Sequence, residues 1–443
     1  MLGISTVQAA AVALFAFTLV FAGGSSRVDA PPLIAVRMAA VLAIAALILP
    51  AKLDQLRDYA RATMLVLVAM AVLAVELVPM PSDWWLAMPG HALYAGSAEA
   101  AGIAQPWRPW SLMPDGTIES LISLLVAVAA LLAAVWAPEG WVARLPLVLM
   151  TLAGTSAVLA MFQIAGGMES PLRWYPVMDN DVGTGFLANR NHQGLLMSLG
   201  IPTATWWAIA TPGIRGNRPA TLMVGASVIF LCAIGAIITQ SRAAILWVAI
   251  ALALSGLMAM PSLARSQRIR WIGGGTLGLA ALLGTIASIL PYARLNSAIK
   301  GDDRWSFWAA TTDMAMAFFP FGSGGGSFVS IYPRFQANAS LRPEYVNHAH
   351  NDALELIAEH GLLGIGLIMV LILLVLRLLL RGWSGGGASQ SANRARFSGV
   401  VIILCMLASL VDYPLRAPLM MGVFAVTLAV NFRRASAGSQ GPG

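Results

Sequence analysis

The densest set of groups able to move protons in this sequence is Asn347-His348-Ala349-His350-Asn351-Asp352, followed by an apolar stretch carrying Glu355, Glu359 and His360. Histidines two residues apart share a face only in extended chain; on a helix they diverge. One reading of the segment is a capped helix start. Asn351 or Asp352 can accept from free N–H groups, and Glu355 stands three residues after Asp352, as in a capping box. That reading leaves the two histidines unexplained. An imidazole at a helix start can take a proton from a hydroxyl, so His350 and His348 are candidate bases, with Glu359 or Asp352 as orienting carboxylates for His350. Zinc is the other use of paired histidines. No HExxH pattern and no cysteine partner accompanies them, so no metal is expected.

Four further groups bear on chemistry. Gln240-Ser241-Arg242 ends one apolar run and opens the next. A charge there can snorkel to the interface, and the planar fork of an arginine also suits phosphate oxygens. Asp302-Asp303-Arg304-Trp305 precedes Pro320-Phe321-Gly322-Ser323-Gly324-Gly325-Gly326. The glycine run lacks the GK[ST] of a P-loop. It reads either as a tight turn or as an anion-binding nest of backbone N–H groups. Asp179-Asn180-Asp181 lacks the full Ca²⁺-loop pattern. Asn189-Arg190-Asn191-His192 stands where an apolar run begins, as a cap or as a glycan contact.

What must position these groups is a membrane bundle. Of the 443 residues 58% are hydrophobic and 11% charged, against roughly 45–50% and about 25% in a soluble domain. This excludes a soluble enzyme and a disordered chain. Cys232 and Cys405 both lie in apolar stretches, which excludes a disulfide scaffold. Twelve apolar segments are read at roughly 6–22, 32–50, 62–79, 118–136, 145–165, 192–210, 220–239, 243–260, 271–290, 353–380, 397–412 and 415–432. The expected fold is all-α, a polytopic integral membrane protein of about 12 transmembrane helices.

With both termini cytoplasmic, the short inner loops hold fifteen of the 27 Lys and Arg and only Asp54, Asp58 and Glu139 among acids, as the positive-inside rule requires. The net charge of +7 thus sorts into a basic inner face and an acidic outer side. All five histidines fall at the outer side. The first apolar segment has no Lys or Arg before Arg27, so a retained helix is expected rather than a cleaved signal. Two outer connections are long, about 80–117 and about 292–352, the second expected to contain short helices. The first holds Trp84, Trp85, Trp107 and Trp110, read as an aromatic belt or as a platform under a sugar or lipid. The inner stretch 381–396 reads as a plain linker.

The ordered series GFLANRNHQG, TQSRAAIL, DDRWSFWAATTDMAMAFFPFGSGGGSF, HAHNDALELIAEHGLLGIG and LVDYPLRAP resembles the O-antigen ligase and O-antigen polymerase superfamily of bacterial membrane glycosyltransferases. The resemblance covers roughly residues 185–432. Residues 1–184 then form an N-terminal helical region with the aromatic outer loop, and 433–443 a cytoplasmic tail.

The resemblance implies an inverting, metal-independent transfer of a glycan from an undecaprenyl pyrophosphate carrier at the periplasmic face of the inner membrane, without a cofactor. It places the pyrophosphate on Arg242 and Arg304 and the essential histidine on His350, with His348 as the close rival. Asn189, Arg190, His192, Asn351 and Asp352 remain as glycan-contacting or supporting residues. The expected partners are the lipid-linked donor, membrane lipids, and a lipid A–core or glycan acceptor, with no nucleic acid. A ligase is read first. A polymerase of repeat units and a protein O-oligosaccharyltransferase share the machinery, and a 12-helix secondary transporter is the reading from another class.

Overall fold

The computed structural model describes residues 6–27, 30–211, 214, 216–262, 304–338, 345–383 and 389–431. The chain alternates long apolar helices with short connections: α1 (Thr6–Ala22), α2 (Pro32–Ile48), α3 (Leu53–Glu76), α4 (Ser82–Ala87), α5 (Gly96–Ala100), α6 (Pro114–Trp136), α7 (Glu139–Val142), α8 (Leu145–Ala165) and α9 (Arg190–Ala210). There follow α10 (Arg218–Ile238), α11 (Arg242–Ala259), α12 (Arg304–Phe318), α13 (Phe328–Ile331), α14 (Asp352–Trp383), α15 (Gln390–Ser409) and α16 (Pro418–Ala429). The only strands among the described residues are two-residue pieces pairing Pro79 with Pro109 and Met80 with Arg108, which pin the ends of the first outer loop together.

The all-α, multi-pass expectation holds. Eleven of the twelve predicted segments coincide with helices; the twelfth, 271–290, lies outside the described residues. Seven described helices are long and apolar enough to cross a membrane, and α1, α2 and α16 are shorter apolar helices. The 21-residue α9 is long enough but begins with Arg190, Asn191, His192 and Gln193. Its position explains this polarity. It is buried along most of its length, packed against α8, α10, α11 and α15, so its polar start meets protein rather than lipid. Small residues allow the close approach: Gly194 lies against Ala244, and Gly235 of α10 lies against Met197 of α9.

One helix is interrupted. Within α14, Gly361 has φ 56° and ψ −128°, and the helix's own ladder is replaced there by the glycine run. Leu362 N–H donates to the Pro320 carbonyl at 2.9 Å, while Ser323 and Gly324 N–H groups donate to the carbonyls of Ala358 and Glu359 at 3.1 and 2.8 Å. The run is therefore the tight turn of the two sequence readings. Its N–H groups are spent on the protein itself, including Gly325 N–H on the Glu76 carboxylate at 2.8 Å. The stretch 381–396 is not a plain linker. Both flanks are helical, and Arg396 is buried with its Nε donating to the Gly382 carbonyl at 2.7 Å.

Gly322 has φ 83°, and a Cβ there would run into the Glu359 carbonyl oxygen. Gly322→Ala is expected to destabilise the folded protein by about 1–3 kcal/mol from backbone strain and to lower its thermal midpoint in detergent; an unchanged midpoint would show that the turn can relax.

Candidate functional site

Helix ends from distant parts of the chain meet at one end of the bundle. Asn189 caps α9, its Oδ1 accepting from Asn191 N–H at 2.7 Å and His192 N–H at 3.4 Å. This is the expected cap, and it frees the Asn191 side chain to act as a bridge. Ser241, the N-cap of α11, donates from Oγ to Asn191 Oδ1 at 2.7 Å. Asn191 Nδ2 in turn donates to Asp412 Oδ2 at 2.6 Å. Asp412, between α15 and α16, is fully buried. Its other oxygen lies 3.3 Å from His350 Nδ1 and 3.9 Å from His192 Nε2. The His350 Nδ1 contact does not meet hydrogen-bond geometry. Burial alone would raise the Asp412 carboxyl, but His350, His192 and the Asn191 amide hold it well below the usual carboxylate range.

The second histidine has its own carboxylate. His348 Nδ1 lies 2.8 Å from Glu355 Oε1, and Ala349 N–H donates to Glu355 Oε2 at 2.8 Å. The described segment before α14 is non-helical, and it brings the two neighbouring histidines to one cluster. Both rings pack on Tyr413, with centroids 4.5 Å away for His348 and 4.8 Å for His350. Burial, reinforced by the negative charge of Asp412, pushes the Tyr413 hydroxyl far up, so Tyr413 serves as a neutral wall. His350 keeps 25% of its side-chain surface exposed, against 11% for His348 and 1% for His192.

Arg416 organises the remaining acids. Its guanidinium reaches Asp352 at 3.3 Å, Glu355 at 3.1 Å and Glu359 at 3.8 Å. Ser409 Oγ donates to Asp352, and Phe328 N–H donates to Glu359. Burial would lower the guanidinium, but the acids, Glu355 foremost, hold it above its ordinary value. A second pair joins the amino-terminal helices to this end: Glu76, the last residue of α3, meets His360 Nδ1 at 2.6 Å.

Each predicted site residue can now be placed. His348 and His350 share one cluster. Glu359 and Asp352, expected to orient His350, contact Arg416 instead, because Asp412 has taken that position. Asn351 is the cap of α14, its Oδ1 accepting from Leu354 N–H at 3.0 Å. Glu355 turns back to His348 rather than completing a capping box. Arg190 gives its N–H to Asp179 at 2.8 Å, with its guanidinium 3.8 Å from the same carboxylate. His192 is at the cluster but sealed from solvent.

Arg242 is the exposed first residue of α11, beside Ser241. Arg304 opens α12 one turn before Trp308, whose indole N–H donates to the His350 carbonyl at 3.2 Å. Asp302 and Asp303 lie outside the described residues. The sequence reading missed Asp412, Tyr413, Arg416 and the bridging role of Asn191. The available signal was LVDYPLRAP, which sets two charges and a tyrosine beside the last apolar helix.

Among the described residues with positive φ, only Gln240 and His350 are not glycine, both at φ 51°. One precedes Ser241-Arg242 and the other is the candidate base. Strain of this kind persists where the surroundings hold it, typically at functional sites. These features define a multi-pass membrane protein with a strained, charge-compensated histidine site at one end of its bundle, not midway as a transport pathway would place it.

Residues 227–369 match the family model described as O-antigen ligase. The match bears out the resemblance to the O-antigen ligase and polymerase superfamily and supports a ligase- or polymerase-type glycosyltransferase. It covers Arg242, Arg304, His348 and His350, whereas Asn191, Asp412 and Arg416 join the site by geometry. No curated protein matches the chain.

Arg416→Ala would leave Glu355 and Glu359 buried without their cation. A loss of about 3–5 kcal/mol is expected, read as a fall in folded, monodisperse protein after extraction from the membrane, with partial recovery in Arg416→Lys. Wild-type yield in Arg416→Ala would show that the acids are neutral.

Proposed function

We propose that the protein transfers a glycan from undecaprenyl pyrophosphate to an acceptor hydroxyl at the periplasmic face of the bacterial inner membrane, with both termini cytoplasmic and lipid A–core as the first candidate acceptor. The observation that carries the reading is the His350–Asp412 pair. Asp412 engages Nδ1 and leaves Nε2 of the more exposed histidine available as a base. Its carboxylate also accepts from the Asn191 amide and from the Tyr413 backbone N–H, with His192 farther off. Glu355, the partner of His348, already faces Arg416, so its pull on an imidazolium is divided. This asymmetry favours His350 as the base over His348.

The step follows from these groups. The acceptor oxygen attacks the anomeric carbon as its proton passes to His350 Nε2. The bond from that carbon to the pyrophosphate oxygen breaks, and the lipid pyrophosphate leaves with the electron pair. The new bond forms opposite the old one, so configuration inverts. Arg242 and Arg304 supply fixed positive charge where negative charge develops. Asp412 holds the imidazole ring and stabilises its charged form.

His350→Ala is expected to abolish transfer, and Asp412→Asn to lower kcat on the order of 100-fold with KM little changed. The assay uses purified protein with a lipid-pyrophosphate glycan and, in separate reactions, lipid A–core, a second lipid-linked repeat unit or a Ser/Thr peptide; the acceptor used separates ligase, polymerase and protein glycosylation. An active His350→Ala with a dead His348→Ala would move the base to His348.

Arg242→Ala and Arg304→Ala should each insert normally and reduce transfer by roughly 100-fold or more, the scale for losing one charge-stabilising group. Wild-type rates in both would remove the arginines from the leaving-group site.

A further inference from the structure

The first turn of α12 adjoins the candidate base. Phe307 lies nearly parallel to the His350 ring at 5.8 Å and 27°, and Trp308 donates its indole N–H to the His350 carbonyl. Trp305 meets Trp308 edge to face, centroids 5.1 Å apart and planes at 77°. The two indoles thus form an L-shaped corner, and Trp305 is 57% exposed. The tryptophans of the first outer loop divide differently. Trp85 is buried, donates to the Pro109 carbonyl and carries Arg108 over its ring. Trp110 donates to Gly322 and packs on Phe321. Those two rings hold the fold. Trp84 and Trp107 are exposed without a link to the histidines, as a headgroup belt would be.

Resting on the glycosyl-transfer reading, we infer that Trp305 and Trp308 form a stacking platform for a pyranose ring of the glycan beside His350. A sugar ring has an apolar C–H face and a rim of hydroxyls. Ligand sites typically combine aromatic walls with a few fixed polar groups. An exposed indole face set against a second indole, on the turn that also carries Arg304, offers that combination. Trp308 cannot serve as an interfacial anchor, because its polar edge is committed to the His350 carbonyl. The platform would set which face of the ring turns toward Nε2, a specificity role separate from the proton step.

The test is saturation-transfer NMR on the full chain in nanodiscs, with maltotetraose and chitotetraose as probes. Wild-type protein should saturate the sugar C–H protons. Trp305→Ala should weaken binding by roughly tenfold, the loss of one good contact, and Trp305→Tyr should restore most of it, with the thermal midpoint unchanged in both. Probe binding is read without any transfer step, which separates failure of the platform from failure of the reaction. Absent binding by the wild type, unchanged binding in Trp305→Ala, or equal loss in Trp305→Tyr would overturn the platform.

Discussion

A single guanidinium among three carboxylates sets the terms for this end of the molecule. Asp352, Glu355 and Glu359 share one helical stretch, with two of the three fully buried. Carboxylates so placed repel one another and shed hydration at a cost of several kcal/mol each. Arg416, from the connection into the last helix, offsets both costs. The start of α14 is thereby tied to the docking of the connection into α16. The same connection carries Asp412 and Tyr413, so the step that neutralises the acids also delivers the carboxylate and the ring that position the histidines. Charge compensation and site assembly are one event.

The two histidine–carboxylate pairs differ through this arrangement. Both imidazoles use Nδ1 on an acid and both lean on Tyr413. Glu355 is shared with a guanidinium, whereas Asp412 is held by the Asn191 amide in a bonded line that reaches Ser241 at the start of α11. The first pair is thereby tied into a structural ion cluster. The second is tied into the helix ends that carry Arg190 and Arg242. Gln240 and His350, the described non-glycine residues with left-handed backbone, stand beside the two ends of this line.

Much of this was legible in the sequence, and the reasons for the rest are physical. Apolar runs of about twenty residues locate helices because lipid allows little else; eleven segments coincide with helices, seven of them long and apolar enough to cross a membrane. The histidine element stood out because capping leaves its imidazoles unexplained. The partners of those imidazoles did not stand out. Asp412 lies 62 positions from His350 in sequence, and nothing local distinguishes it from a carboxylate at a membrane interface. Glu359 and Asp352 lie far nearer to His350 along the chain, but a helix turns its side chains by about 100° per residue, and theirs face Arg416. The glycine run was ambiguous for a similar reason. Its N–H groups do receive acceptors, but these are the Glu76 carboxylate and the interrupted ladder of α14, both unpredictable without the fold.

The pair between Glu76 and His360 spans 284 positions. During synthesis α3 emerges long before α14, so Glu76 must wait at the membrane boundary through the insertion of most later helices before its imidazole arrives. Its place as the last residue of α3 suits this order, since a carboxylate at a helix end can stay hydrated until the loop and α14 enclose it. The contact that ties the end of α3 to α14 can therefore form only once most of the chain has been made.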